Sequence, residues 1–201
     1  MKKKISIYLA GSIQKGHEYA DSYWTDDDMT LLKIKLHDYD VTFLNPALRT
    51  DDLSDQRSVF GRDMLQVYCS NIVFVDARHK RGLGVGAEMM WAKLNSIPVI
   101  TLAPKNTHYN KEETSLLGVP VSNWIHPFVE SLSDKVVENL SEGAQWITEC
   151  LSNSAIAIKS IEYLHEAMQY YHNHQLTYDI PMQELLISNI DLSMRVKAVN
   201  S

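Results

Sequence analysis

Residues 71–102 constrain the fold more than any other stretch of the chain. They read Asn71-Ile72-Val73-Phe74-Val75-Asp76, then Arg78-His79-Lys80-Arg81-Gly82-Leu83-Gly84-Val85-Gly86-Ala87-Glu88, then an apolar helical pattern, and close on Ile97-Pro98-Val99-Ile100-Thr101-Leu102. A short run of β-branched and aromatic side chains that stops at an acid is a buried strand. Glycines at alternate positions after it let the backbone turn sharply and approach a ligand closely. A helix is expected over 84–95, with Ala87, Met90, Trp91 and Leu94 on the face that packs against a sheet, and a second buried strand follows. In that register Glu88 falls in the first helical turn, where the positive end of the helix favours an ionised carboxylate. An ionised, positioned carboxylate beside a glycine-lined hollow is what a nucleophile needs.

The same alternation runs through the first half of the chain. Residues 5–10 form an apolar strand, and Gly11-Ser12-Ile13-Gln14-Lys15-Gly16 a donor-rich turn into a helix over about 17–37. Backbone amides at a helix start, with Ser12 and Lys15 beside them, can hold an anion such as a phosphate; taken alone, the stretch also reads as an ordinary strand-to-helix loop. Residues 41–44 are the second strand, ending in Asn45-Pro46 and a polar, acidic surface loop to Asp55. A helix over 58–70 carries Asp63 and Cys69, the latter expected to be buried. Residues 103–122 lack periodicity and read as a binding loop or lid, and 124–129 as a fifth strand.

Strands alternating with helices imply an α/β fold: a doubly wound, Rossmann-like parallel sheet of about five strands with helices on both faces. Ligands of such sheets sit beyond the carboxyl ends of the strands. By that rule Ser12, Asn45, Asp76 and Glu88 surround one crevice. From residue 131 the pattern is helical. Val136, Val137, Leu140, Ala144, Ile147 and Leu151 mark one face, and Ala157, Ile161, Leu164, Met168 and Tyr171 a narrower stripe close to a heptad seam. The expected organisation is therefore an α/β domain over 1–130 and a C-terminal helical extension over 131–201, packed on that domain or at a subunit interface. A short helix over 182–190 and a frayed polar tail end the chain.

Composition narrows the function classes. A net charge of −6 over 201 residues leaves no electrostatic footprint for DNA or RNA, so no nucleic acid polymer is expected as partner. Cys69 and Cys150 make neither a disulfide framework nor a metal spacing, which fits a reducing cytoplasm. The start Met1-Lys2-Lys3-Lys4 imitates a signal peptide, but its apolar run is short and reads as the first strand. No run reaches membrane-spanning length, and no membrane partner is expected. Asp26-Asp27-Asp28 and His172-Asn173-His174 lack converging partners, so no metal is assigned. His79-Lys80-Arg81 reads as a solvated turn bordering the crevice.

Four pieces in a fixed order carry a resemblance. Tyr8-Leu9-Ala10-Gly11-Ser12-Ile13 lies at the first strand, Asn45-Pro46 after the second, Asp63 in the second helix, and Leu83-Gly84-Val85-Gly86-Ala87-Glu88 after the third strand. Together they resemble the nucleoside 2-deoxyribosyltransferase superfamily, including its 2'-deoxynucleoside 5'-phosphate N-hydrolase branch. The likeness covers about 5–102, and nothing is carried over to the C-terminal residues. It implies that Glu88 attacks the anomeric carbon of a small (deoxy)nucleoside or nucleotide, the base leaves, and water or a second base takes the sugar from a covalent glycosyl ester.

The resemblance further implies that Tyr8 orients the Glu88 carboxylate and that Asp63 contacts the sugar or assists base departure. Gly11, Ser12, Ile13, Gln14, Lys15, Asn45, Gly84 and Gly86 are expected to bind substrate, and Asp76 to bind it or handle protons. No cofactor is implied, and family habit suggests a homo-oligomer whose neighbour helps close the pocket. Two positions depart from the pattern. Gly82 stands where the transferases carry an acid for base contact, and Gln14 where the hydrolases carry an arginine, with Lys15 next to it as a substitute. Each residue also has a plainer role: Glu88 as a helix acid, Asp63 as a solvated side chain, Tyr8 as a core tyrosine. A phosphoribohydrolase of the cytokinin-activating type would want a Pro-Gly-Gly-x-Gly-Thr turn, which is absent. The rival from another class is a nucleotide-binding sensor on the same fold, with Glu88 holding ribose hydroxyls.

Overall fold

The computed structural model describes residues 2–12, 23–48 and 50–199, with side chains through 196. The chain divides into two compact units, Met1–Lys159 and Ser160–Ser201.

In the first unit, strands β1 (Lys3–Ala10), β2 (Tyr39–Leu44), β3 (Ile72–Asp76) and β4 (Val99–Leu102) alternate with helices α1 (Asp26–Lys35), α2 (Gln56–Tyr68) and α3 (Leu83–Leu94). A hairpin of β5 (Asn110–Leu116) and β6 (Val119–Ile125) follows, then α4 (Pro127–Leu132), β7 (Lys135–Val137) and α5 (Leu140–Ser152). The main sheet is five-stranded in the order β2-β1-β3-β4-β7, and every pairing in it is parallel. This is the doubly wound α/β sheet expected from the pattern.

Strand alternation sorts the side chains into two layers. Ile5, Ile7 and Leu9 of β1 join Ile72 and Phe74 of β3, Ile100 and Leu102 of β4, and residues of α1 and α5 in one buried cluster. Contact there is close: a Cβ built on Gly143 of α5 would stand 2.5 Å from Phe74 Cζ, so only glycine lets α5 seat on β3. The intervening residues point to the opposite face, covered by α2 and α3. There Trp91 Nε1 of α3 donates to Met64 O of α2 at 3.1 Å.

Several expectations change in the structure. Helix α3 buries Val85, Glu88, Met89, Ala92 and Lys93, whereas Ala87 and Leu94 are exposed and Met90 and Trp91 only half-buried. The core-facing stripe is thus rotated, because two of its members are charged residues that an apolar pattern passes over. Lys93 makes a buried ion pair with Asp134, whose Oδ2 also accepts Val99 N and whose Oδ1 accepts Lys159 N, each at 2.7 Å. Burial pulls the Lys93 pKa down and Asp134 opposes it. The fifth parallel strand is β7, not 124–129. Trp124 and Ile125 end β6, and Pro127 opens α4 as a first-turn proline.

The supposed lid is a regular hairpin. Leu116 pairs with Val119, so Leu117 (φ 50°) and Gly118 (φ 85°) make a two-residue turn with both central residues left-handed. Val136 and Val137 lie in β7, and with α5 they place 131–159 in the first unit. Cys69 is exposed at the end of α2.

The second unit consists of α6 (Ile161–His174), a 3-10 turn (Leu176–Tyr178), α7 (Ile180–Ser188) and α8 (Ile190–Val199), so the tail expected to fray is helical. Asp179 caps α7 by accepting Met182 N at 3.1 Å and also accepts Tyr171 Oη at 2.5 Å. No residue of α6 or α7 is buried. No helix among the described residues is long and apolar enough to cross a membrane.

Candidate functional site

Glu88 sits in the second turn of α3, not the first. The helix begins at Leu83 with Gly82 as its N-cap, so no acid occupies the first turn, and the dipole has largely faded at Glu88. Its setting is instead low-dielectric. The residue is 7% exposed, and burial pushes its carboxyl up to about 7, with a hydrogen bond from Tyr8 pulling down and the charge of Asp63 pushing up. The expectation of a firmly ionised carboxylate is corrected accordingly: near neutral pH the group sits at its titration midpoint.

Three elements converge on that carboxyl. From β1, the fully buried Tyr8 donates its Oη to Glu88 Oε1 at 2.9 Å. The phenol remains a donor, because burial first, and the neighbouring Glu88 second, push its own ionisation upward. From α2, Asp63 lies near enough to influence both Tyr8 and Glu88 electrostatically. Asp63 pairs with Arg62 at 3.3 Å, and Arg62 in turn donates to Leu48 O at 3.0 Å. From α3, Gly84 floors the site: a Cβ built there would lie 3.9 Å from Glu88 Oε1. The second oxygen, Glu88 Oε2, is buried and has no hydrogen-bond partner among the described residues. Tyr8, Asp63 and Glu88, far apart in the chain, therefore form one constellation.

The remaining sequence-predicted residues form a second group at the strand ends. Asp76 is completely buried. Its oxygens accept Arg78 N and Arg78 Nε at 3.0 Å each, and pair with Arg81 Nη2 at 2.7 Å. Arg78 continues to Asp28 at 2.7 Å, and Arg81 Nη1 donates to Ser12 Oγ at 2.8 Å. A carboxylate so engaged by two guanidinium groups holds the turn together. Arg81, read as part of a solvated turn, is 3% exposed along its side chain and ties the β1 turn to β3. The clue lies in arginines two and five residues beyond the acid that ends a strand, which can fold back onto it.

Gly11 packs tightly here, since a Cβ on it would stand 3.3 Å from Trp24 and 3.5 Å from Asp76. Asn45 is buried and accepts Ala47 N at 2.9 Å, shaping the chain after β2. Gly86 has open space around it and lines a different hollow. Ile13, Gln14 and Lys15 lie outside the described residues. Among the residues expected at the strand ends, contacts join Ser12, Arg81 and Asp76, while Tyr8, Asp63 and Glu88 interact among themselves. Among the described residues no three His, Cys, Asp or Glu side chains are arranged to hold a metal ion.

No family model and no curated protein matches the chain. Among solved structures the chain is similar to one described as 2-desoxiribosyltransferase from Leishmania mexicana. The identity is 16%, the match covers 86% of this chain and 99% of that one, and the TM-score is 0.42. A likeness of that degree assigns no residue a role.

Proposed function

We propose that the chain cleaves the N-glycosidic bond of a small (deoxy)nucleoside or nucleoside 5'-monophosphate, with Glu88 as nucleophile and Tyr8 and Asp63 assisting. The observation that carries this reading is the asymmetry of one carboxyl group. Oε1 is held by Tyr8 at 2.9 Å while Oε2 is buried without a hydrogen-bond partner among the described residues. An ordinary buried helix acid would have both oxygens satisfied, because a bare buried acceptor is costly.

In the proposed reaction Glu88 Oε2 forms a bond to the anomeric carbon as the C1'–N bond breaks. The bonding pair leaves with the base nitrogen, which takes a proton from water, while the Asp63 carboxylate is proposed to contact the sugar. The anionic carboxylate stabilises the oxocarbenium-like transition state, and Tyr8 fixes its orientation. Water or a second base then attacks C1', and the ester oxygen departs to regenerate the carboxylate. Gly84 brings no side chain against Glu88 Oε1, and Gly11, Ser12, Ile13, Gln14, Lys15 and Asn45 are proposed to hold the rest of the substrate. No cofactor enters the scheme.

Incubation with a panel of nucleosides and 5'-monophosphates, with and without a second free base, followed by chromatography of the products, tests the reading. Release of free base, lost in Glu88→Gln, is the expected result. Saturable binding without any turnover would replace the enzyme by a nucleotide-binding sensor.

A further inference from the structure

On the other flank of α3 lies a hollow of about 440 Å³. Val85, Gly86 and Met89 line it, while Glu88 and Gly84 do not. A helix turns about 100° per residue, so those two sets project on different sides of α3. The far wall comes from the hairpin and α4, through Tyr109, His126 and Phe128.

The volume falls within the range of small-molecule sites. The walls are apolar and aromatic: the rings of Tyr109 and His126 lie 5.5 Å apart and those of His126 and Phe128 6.0 Å apart. Phe128 is 69% exposed, so its ring is open to contact by a ligand in this hollow. Each polar group is half used. Tyr109 Oη accepts Arg81 N at 2.7 Å and keeps its own proton to donate. His126 Nδ1 accepts Phe128 N at 3.3 Å, which leaves Nε2 as the ring's N–H. Burial, and then His108, hold the His126 imidazole below its usual pKa and so neutral. Among the described residues no carboxylate or lysine lines the hollow, and the Arg81 guanidinium is already committed to Asp76 and Ser12.

We infer that this hollow is a second binding site, separate from Glu88, for an uncharged planar heteroaromatic ring of nucleobase size. The ring stacks among Tyr109, His126 and Phe128 and takes donors from Tyr109 Oη and His126 Nε2. The inference does not depend on turnover at Glu88.

Titration calorimetry of the full chain tests it, with adenine and cytosine as probes and benzoate and ribose 5-phosphate as controls. Adenine or cytosine is expected to bind saturably in the micromolar-to-millimolar range, with benzoate and ribose 5-phosphate at least tenfold weaker. Gly86→Leu fills the hollow from a position where an added Cβ meets open space, and should weaken ring binding at least tenfold. Phe128→Ala, an exposed change, should weaken it several-fold and keeps the test open should Gly86→Leu misfold. Glu88→Gln should bind the ring as the parent does. The proposal is overturned by the absence of saturable ring binding, by unchanged binding in Phe128→Ala, or by loss of binding in Glu88→Gln, which would put the ring in the Glu88 site instead.

Discussion

Burial sets the working range of Glu88, and it does so at a cost to the fold. With its pKa moved from 4.5 to about 7, the carboxyl keeps its proton in the folded chain over a pH window where the unfolded chain has released it. More protons are then bound folded than unfolded, so stability falls as pH rises through that window. The stabilisation is fully present below pH 4.5 and gone above about 7, a loss on the order of 3 kcal/mol. Glu88→Gln removes the titration. It should match the parent in urea unfolding at acid pH, exceed it by ~2–3 kcal/mol at pH 8, and show turnover reduced by ~10³-fold or more. A variant that loses turnover while gaining alkaline stability marks a residue kept for chemistry.

The neighbours of Glu88 bend its titration in opposite directions, which gives a sharper test. If the ionised form is the nucleophile, kcat/KM rises with pH through a midpoint near 7 and levels off above it. Tyr8→Phe deletes the hydrogen bond that lowers the pKa and should move that limb to higher pH, with a plateau lowered by ~10-fold. Asp63→Asn deletes a charge that raises the pKa and should move it to lower pH. Parallel shifts in the two variants would show that neither acts through Glu88. At this scale the trio is legible only through the resemblance, since the residues taken singly read as well as a core tyrosine, a solvated helix acid and a helix-start glutamate. Arg81 is passed over because a cation in a glycine-rich turn reads by default as solvated, although its spacing of five residues from Asp76 lets it fold back onto that acid.

Among the elements, α3 departs furthest from its sequence pattern, and for one reason. A stripe built from Ala87, Met90, Trp91 and Leu94 assumes that charges face water, yet Glu88 and Lys93 face inward. Glu88 does so for the proposed chemistry, and Lys93 because Asp134 receives it. That pair organises a junction: Asp134 also accepts the amides of Val99 and Lys159, joining α3, β4 and the chain before β7. Asp134→Ala leaves a buried ammonium without its counter-charge and two amides without their acceptor. It should cost about 3–5 kcal/mol by denaturant titration. A cost below 1 kcal/mol would mean that water reaches Lys93 readily.

Other misread elements have equally local causes. The hairpin shows no apolar period because neither of its faces is buried, and the three residues of β7 are too few to interrupt the helical spacing that continues into α5. The sheet itself was legible because β3 and β4 are buried throughout and therefore read as continuous apolar runs.

For the molecule as a whole, we propose the homo-oligomer that the resemblance implies, and the question is where a second copy would bind. Two surfaces compete. On α2, Phe60 (63% exposed), Leu65 (61%) and Tyr68 (59%) share one helical face with Gly61. That face is carried on the same helix as Asp63, so a neighbour seated there would lie next to the Glu88 cluster. In Ser160–Ser201, the narrow stripe containing Leu164, Met168 and Tyr171 leaves Met168 half exposed. The two alternatives separate cleanly. Light scattering at micromolar concentration should give a mass above the 23.0 kDa of one chain. A chain ending at Lys159 keeps the buried core, whose members run only to Ile147, and should still associate if α2 makes the interface. Phe60→Asp with Leu65→Asp should then yield a folded monomer with depressed base release. Association lost on truncation but kept in the double variant assigns the interface to the C-terminal helices, and a monomer in every case removes the neighbour from the proposed site altogether.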